Sequence, residues 1–200
     1  MEINVFLFSR AFQKRNRKGI SSFMIYREIY GDLFAIPNDY YLVQCISADF
    51  GMGKGIAVQF NKHFDMKNKL VLQYGNYLSA WDSNFEETVP CIKEGRVFNL
   101  ITKRNYWGKP TYYTLENSLI ALKCMCNINN VTKLAMPTIA SGLDKLDWDK
   151  VSEMINYLFE DTNIEILVCK QYEKQNNYIP KKKMIIKEEK ETDCDIDIGI

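Results

Sequence analysis

YLVQCISADFGMGKGIAVQF, residues 41 to 60, is the stretch that decides the fold. Its first six residues form a largely apolar run of the length expected for a buried β-strand. Glycines follow at positions 51, 53 and 55, and an apolar helical pattern begins near Ile56. A buried strand, a glycine-rich loop and an amphipathic helix in this order are typical of an α/β protein.

The rest of the chain continues this alternation of strands and helices. Apolar segments over residues 23–26, 96–101, 133–137 and 164–169 predict strands, and apolar stripes over 115–126 and 151–159 predict helices. The predicted fold class is therefore α/β with a largely parallel sheet. In such sheets ligands bind beyond the carboxyl ends of the strands.

Composition excludes several classes of protein. The 200 residues are 46% hydrophobic and carry 26 Lys and Arg against 25 Asp and Glu, so the net charge of +1 gives no global attraction to nucleic acid or membrane. The apolar runs are far shorter than the roughly 20 residues of a membrane helix, and the first residues lack the pattern of a signal peptide. We expect an intracellular protein, cytoplasmic or nuclear or both, without contact with a membrane.

The chain has few residues that could form a metal site or a histidine-dependent catalytic triad. The six cysteines contain one close pair, Cys124 and Cys126, without a second pair to complete a zinc site, and His63 is the only histidine. The sequence predicts reduced thiols, no metal site and no cofactor. A catalytic triad would have to use His63, which lies in a helical segment among lysines.

Three loops that follow predicted strands can carry chemistry. Residues 47–57 combine glycines with a helix start, which fits either a phosphate cradle or a plain tight turn. The second loop begins at Lys103 and Arg104, and a lysine there is either a solvated side chain or a nucleophile activated by its surroundings. Residues 137–144 offer small residues and the carboxylate of Asp144, which is either functional or a capping aspartate. The three together favour a nucleotide-like ligand.

Five sequence blocks resemble macro domains in order and spacing. They are Gly31-Asp-Leu-Phe, Cys45-Ile-Ser, Met52-Gly-Lys-Gly-Ile-Ala, Leu100-Ile-Thr-Lys and the segment from Met136-Pro to Gly142-Leu-Asp. The pattern is similar to the class that hydrolyses terminal ADP-ribose from proteins. The sequence of residues 53–60 and the pair Tyr106-Trp107 also resemble the class that removes ADP-ribose from DNA bases. Residues 142–144 favour the first class.

The resemblance implies a three-layer α/β/α macro domain with a mixed, largely parallel sheet over residues 23–172. It leaves residues 1–22 as an N-terminal extension and residues 173–200 as a charged, flexible tail. The basic runs at residues 14–18 and 181–183 are expected to be solvated, with an anion-binding patch as the alternative.

The resemblance also implies roles for individual residues. Lys103 matches a lysine that attacks the anomeric carbon of the distal ribose, and Asp144 matches the acid/base beside it. The residues implied to bind ADP-ribose, with Asp32 accepting from the adenine amino group, are Asp32, Leu33, Ser47, Met52, Gly53, Gly55, Ile56, Pro137, Thr138, Ile139, Ala140, Ser141, Gly142 and Leu143.

The implied activity is hydrolysis of ADP-ribose from protein carboxylates or from O-acetyl-ADP-ribose through a lysyl–ribose intermediate, by a monomer that needs no metal. Three alternatives stay open: removal of ADP-ribose from nucleic acid bases, dephosphorylation of ADP-ribose 1″-phosphate, and a reader that binds ADP-ribose without turnover. The implied partners are accordingly ADP-ribose, ADP-ribosylated protein and, under the first alternative, ADP-ribosylated nucleic acid.

Overall fold

A six-stranded sheet organises the computed structural model of the protein, which describes residues 24–83 and 88–171. The strands are β1 (Ile25–Tyr30), β2 (Tyr41–Ser47), β3 (Cys91–Glu94), β4 (Val97–Lys103), β5 (Lys133–Met136) and β6 (Glu165–Lys170). They lie in the order β1-β6-β5-β2-β4-β3. Every neighbouring pair is parallel except β3 and β4, which are antiparallel.

Within the described residues, five helices cover the two faces of the sheet. They are α1 (Ala57–Phe64), α2 (Met66–Tyr74), α3 (Tyr77–Ser83), α4 (Tyr112–Ile128) and α5 (Trp148–Phe159), and a short 3-10 turn (Leu33–Ala35) follows β1. Buried residues of α4 and α5 pack on one face, and α1, α2 and α3 pack on the other. The prediction of a three-layer α/β/α fold with a mixed, largely parallel sheet is confirmed.

The predicted elements are present, with shifted ends. β1 continues to Tyr30 rather than stopping at residue 26. It is the exposed edge strand, and Arg27 and Glu28 interrupt its apolar pattern after residue 26. α5 begins at Trp148, three residues before the apolar stripe, because the Asp147 side chain caps it by accepting from the Asp149 N–H.

Three elements were not predicted. Only Met66 and Leu70 of α2 are buried, so its apolar stripe is too narrow to mark a helix. α3 spans only seven residues, and β3 only four. The turn between β3 and β4 contains Gly95 with a φ of 56°, and this glycine was the available signal for a hairpin.

The predicted extensions over residues 1–22 and 173–200 lie outside the described residues. Within the described residues, no helix has both the length and the apolar character to span a bilayer.

Candidate active site

The carboxyl ends of β1, β2, β4, β5 and β6 meet at one edge of the sheet because these strands are parallel. After β2 the chain continues on the face covered by α1, α2 and α3, and after β5 it continues on the face covered by α5. The direction in which strands are added to the sheet therefore reverses between the neighbouring strands β2 and β5. Ligands of open α/β sheets bind at such a switch point. The three candidate loops lie here, and we call them the glycine loop (48–56), the lysine loop (104–111) and the aspartate loop (137–147).

Lys103 and Asp144 meet at this edge although 41 residues separate them. Lys103 Nζ donates to Asp144 Oδ1 at 2.5 Å, and each side chain is only 14% exposed. Neither is the solvated surface residue that its type usually is. A charged pair this sheltered, at the edge of the sheet where ligands bind, is a candidate for catalysis.

A β-bulge sets the position of Lys103. The register of β2 and β4 pairs Ile46 with Ile101 and then Ser47 with Lys103, so Thr102 is an extra residue in β4. Bulges turn the following side chain, and they are frequent beside active sites. The Ala48 N–H then donates to the Lys103 carbonyl at 2.9 Å, which fixes the backbone of Lys103 against the glycine loop.

Asp49 ties the glycine loop to the lysine loop. One carboxylate oxygen accepts from the Ser47 hydroxyl and from the Gly51 N–H, and the other accepts from the Tyr106 N–H at 3.1 Å. Ser47, predicted to bind the ligand, is 1% exposed and has its hydroxyl committed to Asp49. Its side chain therefore supports the glycine loop.

The lysine loop is fastened at both ends. The Arg104 guanidinium donates two hydrogen bonds of 2.6 Å to the Asp82 carboxylate of α3. At the other end the Lys109 ammonium donates to the Leu143 carbonyl of the aspartate loop. Between these points the loop presents the rings of Tyr106 and Trp107, which are 52% and 66% exposed and stand perpendicular at 4.8 Å.

The aspartate loop is a tight irregular turn. Ala140 has a φ of 58°, and its carbonyl accepts from the Leu146 N–H at 3.0 Å, which closes the loop before α5. The Ser141 hydroxyl donates to the Thr138 carbonyl at 2.8 Å. The exposed Leu143 side chain reaches the glycine loop, where a Cβ on Gly55 would lie 3.1 Å from Leu143 Cδ1. Gly55 also has a φ of 61°, so glycine is required there for two reasons.

A pocket of about 240 Å³ lies between the end of β1, the end of β6 and Ile56, the residue after Gly55. Asp32 lies at its rim and accepts from the Phe34 N–H at 2.9 Å, which starts the 3-10 turn. The Phe34 ring stacks on the His63 ring, with 4.4 Å between the two ring centroids. The residues that line the pocket are Gly31, Asp32, Leu33, Phe34, Ile56, Cys169 and Gln171. Ile56 lines the pocket and follows Gly55, which contacts Leu143, the residue before Asp144.

Two thiols near these residues have raised pKa values. Burial and the charge of Asp144 raise the pKa of the Cys45 thiol to about 12, although Lys103 acts in the opposite direction. Burial and Asp32 raise the pKa of the Cys169 thiol to about 11. Neither cysteine is a nucleophile at neutral pH.

The structure places most of the predicted site residues around this edge of the sheet, but in different ways. Asp32, Leu33 and Ile56 line the pocket, and Gly53, Gly142 and Leu143 are exposed on the loops. Pro137, Thr138 and Ser141 are half-buried in the aspartate loop. The side chains of Met52, Ile139 and Ala140 are at most 6% exposed and belong to the two cores, so these residues can contact a ligand only through their backbone.

Sequence reasoning missed Asp49, Asp82 and Lys109, which support the site without belonging to the quoted blocks. Asp49 had a local signal, since an aspartate two residues after Ser47 and two before Gly51 can bond to both. Asp82 and Lys109 form hydrogen bonds with residues that are 22 and 34 positions away in the chain, and no local sequence pattern marks such pairs.

The human "ADP-ribose glycohydrolase OARD1" is 43% identical over 141 residues, which cover 70% of this chain and 88% of the human protein, and the bovine protein of that name matches to the same extent. No protein-family model matches the chain.

Solved structures share the fold. The "Macrodomain of Thermus aquaticus DarG" has a TM-score of 0.59 and 24% identity, and it covers 73% of this chain and 98% of its own. The structure "Thermosipho africanus DarTG in complex with ADP-ribose" has a TM-score of 0.58 and 17% identity, covering 76% of this chain and 43% of its own.

Proposed function

We propose that this chain, which belongs to the macrodomain family of ADP-ribose glycohydrolases, is a hydrolase that releases ADP-ribose from modified protein carboxylates or from O-acetyl-ADP-ribose. The observation that carries the proposal is the sheltered Lys103–Asp144 pair at 2.5 Å. A protein that only binds ADP-ribose needs neither group. The site draws on one chain, and we propose that it acts as a monomer.

In the proposed complex, ADP-ribose lies along these loops in one direction. The adenine ring enters the pocket at Asp32, whose carboxylate accepts from the amino group. The diphosphate lies between the glycine loop and the aspartate loop, where α1 begins after Ile56 with no side chain capping its first N–H groups. The distal ribose then reaches Lys103 and Asp144.

The resting hydrogen bond defines the first proton transfer. Asp144 takes a proton from the Lys103 ammonium and leaves a neutral amine. The amine lone pair attacks C1″ of the distal ribose while the bond from C1″ to the leaving oxygen breaks. Asp144 then gives its proton to that oxygen, so the modified carboxylate departs as the free acid and the ribose is bonded to Lys103 Nζ.

Water completes the reaction by the reverse proton path. The ionised Asp144 takes a proton from water, and the water oxygen attacks C1″. The bond from C1″ to Lys103 Nζ breaks, its electrons return to the amine, and Asp144 passes the proton back. The products are ADP-ribose and the unmodified acid, with the pair in its starting state.

Trapping of the covalent intermediate tests this proposal. The ribose bonded to Lys103 Nζ can open to a Schiff base, which cyanoborohydride reduces to a stable secondary amine. Wild-type protein mixed with carboxylate-linked substrate and cyanoborohydride should therefore gain one ADP-ribosyl group at Lys103, detected by intact mass and peptide mapping. Lys103→Ala should gain none. Substrate turnover without any adduct, and with Lys103→Ala as active as wild type, would refute the lysyl intermediate and favour the phosphatase alternative.

A second substrate class is favoured by the exposed Tyr106 and Trp107 rings of the lysine loop. Exposed aromatic rings next to cations such as Arg104 suit a nucleobase, since stacking on such rings contributes about 1–3 kcal/mol per base. If ADP-ribosylated nucleic acid is a substrate, Trp107→Ala should lower kcat/KM for an ADP-ribosylated oligonucleotide about tenfold or more, and activity should fall steeply with salt. Equal loss with carboxylate-linked protein would contradict a nucleobase platform.

A further inference from the structure

Leu143 is the meeting point of the three loops. Its carbonyl accepts from the Lys109 ammonium of the lysine loop, and its side chain lies against Gly55 of the glycine loop. The contact is close, because a Cβ on Gly55 would lie 3.1 Å from Leu143 Cδ1. Leu143 is nevertheless 60% exposed, so core packing does not hold it in place.

Asp144 is the residue directly after this meeting point, and its carboxylate must stay 2.5 Å from Lys103. The chain around it is irregular, since Lys145 has a φ of 64° and its N–H donates to the Gly142 carbonyl at 3.3 Å. The direction of the Asp144 side chain thus depends on how the Leu143 peptide is held. Helices and strands do not supply that support, because Leu143 lies between β5 and α5.

Lys109 supplies the support from the same loop that follows Lys103. Gly108 packs beside Lys103, with its Cβ position 3.9 Å from Lys103 Cβ, and Lys109 reaches across to Leu143. One short segment therefore borders the Lys103 side chain and bonds to the residue before its partner.

We infer that Lys109 is a positioning residue that holds the Leu143 peptide and so keeps the Asp144 carboxylate against Lys103. The inference rests on the proposed function for its effect on catalysis, but the geometry it describes exists without turnover. Lys109 need not touch the substrate to act.

Three variants test it in the full-length protein. Lys109→Met removes the ammonium and keeps most of the side-chain stem, Lys109→Arg keeps a cationic donor, and Lys69→Met removes a charge from an exposed position of α2. Lys109→Met should lower kcat about tenfold while the Kd for ADP-ribose changes less than about threefold. Lys109→Arg should restore most of kcat, and Lys69→Met should match wild type.

An activity-independent measurement separates this inference from the proposed function. Brief acetylation with limiting acetic anhydride, followed by peptide mass spectrometry, reports how well Asp144 shields the Lys103 amine. Lys109→Met should raise the labelling of Lys103 severalfold, towards that of Asp144→Ala, while Lys109→Arg and Lys69→Met should not. Thermal unfolding of all variants should stay near that of wild type.

Unchanged Lys103 labelling in Lys109→Met would overturn the positioning role, whether or not the protein turns substrate over. A Kd that weakens in proportion to the loss of kcat/KM would also overturn it, because Lys109 would then be a ligand contact. If Lys103→Ala retains wild-type activity while labelling follows the expected pattern, the proposed mechanism fails and the positioning of Asp144 stands.

Discussion

Replacement of Gly51 by alanine tests the contact between the glycine loop and the lysine loop. The added Cβ would lie 2.6 Å from Tyr106 Cβ and 3.1 Å from Tyr106 Cγ and Cδ1. Carbon atoms approach favourably only to about 3.5–4.0 Å, so Tyr106 must move by roughly 1 Å. Overpacking of this kind costs about 1–3 kcal/mol, and the displaced Tyr106 N–H also loses its bond to Asp49. We expect Gly51→Ala to lower the free energy of unfolding by about 2–3 kcal/mol.

Gly53→Ala is the matched control, because no heavy atom of the described residues, apart from its chain neighbours, lies within 4 Å of the added Cβ. It should leave the unfolding free energy within about 0.5 kcal/mol of wild type or raise it slightly. Urea titrations followed by tryptophan fluorescence give both values, and Gly51→Ala should also melt about 4–12 °C lower. Equal stabilities for the two variants would refute the packing of Tyr106 over Gly51.

Three further predictions concern single side chains. Asp32→Ala should weaken ADP-ribose binding by about 1–3 kcal/mol, because it removes a charged acceptor for the adenine amino group; calorimetric titration measures this. Cys45 should resist iodoacetamide at pH 8, because its raised pKa of about 12 keeps the thiol protonated; peptide mass spectrometry gives the labelling rate. The Tyr40 hydroxyl and the Arg27 guanidinium hold the pKa of Glu165 below its ordinary value, so its contribution to stability is present at neutral pH and is lost as the pH falls through the lowered pKa. Glu165→Gln should therefore flatten the decrease in stability between about pH 5 and pH 3, measured by urea unfolding.

Each of these predictions can fail in a specific way. An unchanged Kd for ADP-ribose in Asp32→Ala would contradict the binding of adenine at Asp32. Alkylation of Cys45 at the rate of an unstructured cysteine peptide would contradict the raised pKa of its thiol near Asp144. The same acid dependence in wild type and Glu165→Gln would mean that the hydrogen bond from Tyr40 does not stabilise the ionised carboxylate.

The central unit of the fold was predictable because its signals are local. The apolar run of β2, the glycines after it and the stripe of α1 lie within 24 residues, and each follows a periodicity that the sequence displays. β3 and α2 were not predictable in this way. β3 is a four-residue edge strand, and α2 buries two residues, so neither shows a full period of apolar positions.

The main residues of the candidate site were predictable from the sequence, but the contacts that bring them together were not. Lys103 and Asp144 stood out through the loops that carry them and through the macro domain resemblance. The bulge at Thr102 that directs Lys103 depends on pairing with β2, and sequence patterns do not reveal the register of two strands 55 residues apart. The supports of Asp82 and Lys109 likewise depend on tertiary contacts.

Release of ADP-ribose is the most direct test of the central claim. Purified protein is incubated with carboxylate-linked mono-ADP-ribosylated protein, with Lys103→Ala in parallel, and free ADP-ribose is quantified by chromatography. The account predicts release by wild type and none by Lys103→Ala, while both proteins bind ADP-ribose. Binding by both without release by either would contradict it and leave a reader of ADP-ribose, and equal release by both would exclude Lys103 as the nucleophile.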